Sequence, residues 1–239
     1  MYIAIVNHST EITDTDVATM ARACAHQMRY HVAPAWDRHA AAVVFHAAGS
    51  PVPPGAHEIG VFDDADQAGD LGWHTEDAGE AIYGRVFARP VLQNGGDALT
   101  KELSVASVLS HEVIEMFGDA GCNGWMDDDR GTLHALELCD PVEADSYPVT
   151  VGTTKVTVSN FVLPAWFDPM AKPTDQFDYM KRTSQPYTLS KGGYEVYRRG
   201  GQEQQRFADQ YPAWRKKTKD TPLSRTAKRL AKKRTDAAA

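Results

Sequence analysis

From Asp14 to Met28 the apolar residues Val17, Met20, Ala21, Cys24 and Met28 fall three and four positions apart, the period of a helix with one buried face. The stretch "TDTDVATMARACAHQMRYHV" therefore predicts an amphipathic helix, and the nearly unbroken apolar run in "YIAIVNH" predicts a strand before it. "HAAAVVFHAA" and "HEIGVFDD" predict two more strands, separated by the turn-rich "GSPVPPGA". "DADQAGDLGWHTEDAGEA" shows no period and predicts a polar loop. "AIYGRVFARPVL" predicts a strand whose Gly and Pro suit a sheet edge.

The strongest helical pattern follows "QNGGD", from about Ala98 to Phe117. Val105, Leu109, Val113 and Met116, joined by Val108 and Phe117, form its core-facing stripe. Ser104, Ser107, His111, Glu115 and Gly118 share another face, where small residues leave room for something to approach. Downstream, the Gly/Asp-rich "GDAGCNGWMDDDRG" predicts a loop, "VGTTKVTVSNFVLPAWF" a hairpin, and "QPYTLSKGGYEVYRRGGQE" a last hairpin around Gly192-Gly193. "DPMAKPTDQFDYM" reads as irregular. With no internal repeat and no linker before residue 215, the expectation is one α+β domain over residues 1–214 followed by a tail, 215–239.

The charge distribution gives that boundary its reason. The formal net charge is -7, yet residues 215–239 carry 10 Lys and Arg against Asp220 and Asp236, leaving 15 basic and 30 acidic residues in the first 214. An acidic body with a basic tail admits two readings: contact with an anionic partner such as nucleic acid or an assembly surface, or a solvated end. No stretch reaches the roughly 18 apolar residues of a membrane span, and the opening segment lacks a signal-peptide pattern. Synthesis in the cytoplasm is the expectation, with virion association or leaderless export left open. Cys24, Cys122 and Cys139 are too few and too unevenly placed for a disulfide framework and are read as thiols.

Candidate chemistry lies in "SHEVIEMFGD", residues 110–119. On a helix His111 and Glu115 share a face with Glu112 beside them, the placement that H-E-x-x-H uses for two zinc ligands and a general base. Zinc accepts carboxylate oxygen as well as imidazole nitrogen, so Glu115 can stand where a second His would. The added negative charge makes bound water less acidic and other divalent ions more plausible. A third ligand must come from elsewhere, and "ELCDPVE" offers Glu137, Asp140 and Glu143, with His134 just before. Glu137 is the preferred ligand and Asp140 its neighbour, accepting the spare N–H of His111; the two could exchange roles. Glu112 is then the general base. His74, Tyr83, His134 and Tyr147 are the candidates for stabilising an oxyanion.

"SHEVIEMFGDAGCNGWMDDDRGTLHALELCD" resembles the H-E-x-x-E group of zinc metallopeptidases, whose pattern runs S-H-E-x-x-E, an Asp, G-W-x-D and E-x-x-D. The matching positions are Ser110, His111, Glu112, Glu115, Asp119, Gly124, Trp125, Asp127, Glu137 and Asp140. "DPVEADSYPV" and "VSNFVLPAWFDP" look like phage and bacterial members of the same broad type. Two positions depart from the pattern: Ala120 replaces a Pro, and Cys139 lies inside the E-x-x-D. The resemblance implies a zincin-like fold: a twisted mixed sheet, an active-site helix beneath it, an edge strand able to hold an extended peptide, and a β-rich region downstream. The expected function is a zinc-dependent hydrolase holding one Zn2+ and acting on a peptide or protein substrate. The alternative is an inactive zincin scaffold serving as a binding or virion-associated structural protein.

Overall fold

The computed structural model describes residues 1–66, 70–77 and 79–212, so the basic segment 215–239 lies outside the described residues. The chain is an α+β structure. It opens with β1 (Tyr2–Asn7) and α1 (Asp14–Gln27), extended by a π-helical turn (Met28–Val32) and a short α2 (Ala33–Ala35). Thr13 starts α1 by accepting a hydrogen bond from the Asp16 N–H, and the five residues of its apolar stripe are all buried.

β2 (Ala42–His46), β3 (His57–Phe62), β4 (Gly72–Glu76) and β5 (Ile82–Phe87) complete a five-stranded sheet in the order β2-β1-β3-β5-β4. β1, β2, β3 and β5 run parallel, and β4 alone is antiparallel, pairing with β5 through His74↔Gly84. The central strands β1 and β3 read as apolar runs because both their faces are covered.

Three expectations are corrected here. β5 is an interior strand, and the true edge is β4, inside the segment read as a polar loop. "GWHTE" is short and carries no apolar alternation, which is how edge strands commonly look. Its side chains nonetheless anchor it, with Trp73 edge-on to Tyr83 at 5.4 Å and its indole N–H on Asp66 at 3.1 Å. The residues "ARPVLQ" after β5 form α3 (Ala88–Gln93), with Pro90 in its first turns, where a missing N–H costs nothing.

α4 (Val105–Asp119) is shorter than its apolar pattern predicts. Asp97 Oδ1 accepts the N–H groups of Thr100 and Lys101 at 2.8 and 3.0 Å, closing residues 97–101 into a turn that competes with helix. Ser104 and Ser107 then exchange side-chain-to-backbone hydrogen bonds in a capping box that starts the helix. α4 packs against α1, β4 and β5, and every residue from Val105 to Phe117 is buried. It is the central element of the fold.

Beyond α4, β6 (Trp125–Asp127) and β7 (Thr132–Ala135) enter a second sheet of order β11-β10-β7-β6, and β8 (Ser146–Val151) with β9 (Thr154–Ser159) forms a separate hairpin. β9 lies against α4, where Ser110 Oγ accepts the Ser159 N–H at 2.7 Å. The last hairpin joins β10 (Tyr194–Arg199) to β11 (Gln202–Phe207) and turns at Gly200-Gly201, not Gly192-Gly193. A two-residue hairpin turn with both central φ values positive selects Gly, and these are +58° and +76°. All three cysteines are free thiols. Among the described residues no helix is long and apolar enough to cross a membrane.

Candidate metal centre

α4 delivers His111, Glu112 and Glu115 to one place, and the segment after β7 crosses the helix to meet them. The crossing is tight at Gly118, where a Cβ would lie 2.8 Å from the Leu138 side chain. The room predicted beside the small residues of this face is thus taken partly by the chain itself. Glu115 Oε1 accepts the Cys139 N–H at 3.3 Å and fixes the crossing segment.

Two carboxylates converge on one imidazole nitrogen. His111 Nε2 lies 3.1 Å from Glu115 Oε1 and 3.3 Å from Asp140 Oδ1. One N–H cannot point well at both oxygens, whereas the ligand atoms around a tetrahedral zinc stand about 3.3 Å apart at bond lengths of about 2.0–2.1 Å. Each of the two carboxylates thus forms with His111 a pair of donor atoms that a divalent cation could share. Cys139 with His111 and Glu115, and Glu143 with His111 and Asp140, lie close enough to contribute further donor atoms.

The electrostatics fit the crowding. Burial opposes charge on the His111 ring, yet Glu115 and Asp140 hold its protonated form well above the ordinary imidazole range. Burial and the neighbouring Asp140 carboxylate push Glu115 upward, against the pull of His111. His111, Glu112, Glu115 and Asp140 are only 4–9% exposed, so these acids meet in a medium that screens them little.

Glu112 stands next to the trio, facing β4. Its Oε2 lies 3.3 Å from His74 Nδ1, and the other His74 nitrogen reaches the Asp119 carbonyl at 3.0 Å. Gly72 lets the strand approach this closely, since a Cβ there would lie 2.8 Å from Glu112 Oε1. Asp119 in turn accepts the Gly124 N–H at 2.7 Å, holding the loop that follows the helix.

The other sequence candidates separate. His74 joins Glu112. Glu137 acts electrostatically on both His74 and Glu115, and the Asp140 carboxylate lies 3.3 Å from His111 Nε2. Tyr147 bonds Gln27 Nε2 at 3.0 Å and His31 Nδ1 at 2.9 Å, within an aromatic group that includes Tyr179. His134 bonds Glu195 at 3.2 Å and stacks on Tyr187, and Tyr83 packs on Trp73. Sequence reasoning missed two residues. Cys122 sets its Sγ 3.1 Å from His74 Nε2, and Tyr194, from β10, is a buried phenol whose pKa is raised by burial and by Asp140 and Glu143. Cys122 lay within the motif region, but Tyr194 is more than fifty residues downstream with no pattern to single it out.

Neither a protein-family model, nor a curated protein, nor a solved structure matches the chain.

Proposed function

We propose that this protein is a divalent-metal-dependent hydrolase of zincin-like fold, with zinc the ion best suited to its donors and peptide bonds its substrate class. The observation that carries this reading is the convergence of Glu115 and Asp140 on His111 Nε2 at 3.1 and 3.3 Å. His111, Glu115 and Asp140 are the ligands in this reading, with Glu137 supporting them from the neighbouring position. The cation, when bound, would polarise a substrate carbonyl and acidify water.

The remaining work falls to the chain's own residues. Glu112 accepts the proton of the attacking water and passes it to the leaving amine. His74 holds the Glu112 carboxylate in place from β4. The antiparallel edge strand offers backbone groups along which an extended peptide adds as a further strand, beside the helix that carries Glu112.

Metal content measured by elemental mass spectrometry, on protein purified without an affinity tag or added metal, tests the ligand assignment. Zinc near one equivalent is expected in the wild type and lost in His111→Ala and Asp140→Asn, with Glu137→Gln weakened but still binding. Loss only in Glu137→Gln would reverse the two roles. Glu112→Gln should retain that zinc and lose cleavage of a broad quenched-peptide library. Metal without cleavage by the wild type would reject the peptidase reading and favour a metal-stabilised binding scaffold.

A further inference from the structure

His74 is held in a way that leaves one nitrogen for a ligand. A carbonyl oxygen only accepts hydrogen bonds, so the 3.0 Å contact with the Asp119 carbonyl places the proton on Nε2. The thiol of Cys122 lies on that same side, with Sγ 3.1 Å from Nε2 and its S–H directed to the His74 carbonyl at 3.2 Å. A histidine that gives one N–H to a backbone carbonyl is oriented to coordinate through the other nitrogen. For His74 that nitrogen is Nδ1, which in the metal-free protein donates to Glu112 Oε2 at 3.3 Å and would release that proton to an ion. This again matches the separation of two ligand atoms on one zinc, about 3.3 Å.

The third donor is Glu115. His74, Glu112 and Glu115 each offer an atom within 4.8 Å of the others, and all three side chains are buried. Glu115 also belongs to the His111 trio, so one carboxylate is common to two donor sets. Carboxylates shared in this way bridge ion pairs about 3.5–4 Å apart in two-metal hydrolases. The surroundings favour a second positive charge, because Glu112, Glu115 and Asp140 are packed together with Glu137 and Glu143 close by.

We propose that His74, Glu112 and Glu115 form a second divalent-cation site, weaker than the His111 site and bridged to it by Glu115, whose filling withdraws Glu112 from proton transfer. The inference rests on the function proposed above and adds regulation to it: the metal that activates the site at low concentration inhibits it at higher concentration. The second ion binds more weakly because the first repels it across a short, poorly screened distance.

The test counts ions rather than turnover. Metal-free full-length protein is titrated with zinc alone in competition with a chromophoric chelator. Two equivalents with affinities separated by at least about tenfold, or about 1.4 kcal/mol, are expected in the wild type. Glu112→Gln, nearly isosteric, and His74→Ala should each lose the weaker equivalent and keep the tighter one. His111→Ala should lose the tighter. A wild type that binds a single zinc, or a Glu112→Gln variant that binds two as the wild type does, would overturn the second site while leaving the proposed hydrolase intact. No zinc bound by the wild type would overturn both.

Discussion

Gly72→Ala adds one methyl group at the narrowest point between β4 and α4. The new Cβ would lie 2.8 Å from Glu112 Oε1, 3.0 Å from Val108 Cγ1 and 3.1 Å from Glu112 Cγ. Carbon atoms rest at about 3.5–4.0 Å, so the overlap is of the order of half an ångström to one ångström. Neither neighbour yields easily. Val108 is β-branched and stiff on a helix, and the Glu112 carboxylate is held by His74 at 3.3 Å. Overpacking of this kind costs about 1–3 kcal/mol, and burying one methyl returns about 0.8 kcal/mol. The net of about 0.2–2 kcal/mol corresponds to a melting temperature lower by up to roughly 8 °C for a chain of this size. If Glu112 acts as the base, its displacement should lower turnover by up to about a hundredfold. Thermal unfolding followed by circular dichroism, on metal-free protein, reads the first effect. Gly79→Ala supplies the control, because its Cβ meets Asp77 Oδ1 at an ordinary 3.4 Å. Equal melting temperatures for the two variants would refute the close approach of β4 to Glu112.

Ser110→Ala removes the acceptor of the buried Ser159 N–H at 2.7 Å and should destabilise the fold by about 1–3 kcal/mol, read by urea denaturation. An unchanged midpoint would mean that β9 is not tied to α4 through this residue. Asp63 is opposed by burial, but hydrogen bonds from Ser9, Thr10 and Glu11 outweigh it and bring its pKa down from 3.8 to about 2. A carboxylate depressed on folding contributes stability above its unfolded pKa and loses it as pH falls through the folded one. The melting difference between wild type and Asp63→Asn should therefore be constant above about pH 5 and shrink between pH 4 and 2. A difference that grows on acidification would contradict the assignment.

The parts of the fold that were legible in the sequence are those where one period dominates. β1, β3 and α1 announce themselves because a covered strand or a one-faced helix leaves a regular apolar record. β4 does not, since five residues at an edge, one of them His74, carry no such record. The apolar pattern starts α4 too early: Ala98 and Leu99 fit it, while the Asp97 side chain closes a turn there instead. The candidate centre divides in the same way. The geometry of i and i+4 brought His111, Glu112 and Glu115 together without any knowledge of the tertiary fold. That Asp140 meets His111 depends on how the chain folds after Leu136, which no local period encodes. His74 is a candidate by residue type alone, whereas its contact with Glu112 depends on β4 being a strand beside α4.

The burial of α4 on every side also bears on how the protein can change. A helix with an exposed face absorbs substitutions there without cost, but from Val105 to Phe117 this one has no such face. In a saturation mutagenesis screen these positions should form an intolerant block, whatever property is selected. If the chain is the hydrolase proposed above, variation that alters its substrate must then accumulate at the rim, in the exposed turn at Gly79 and Glu80. The proposed chemistry would then be inherited nearly unchanged, while the choice of target drifted.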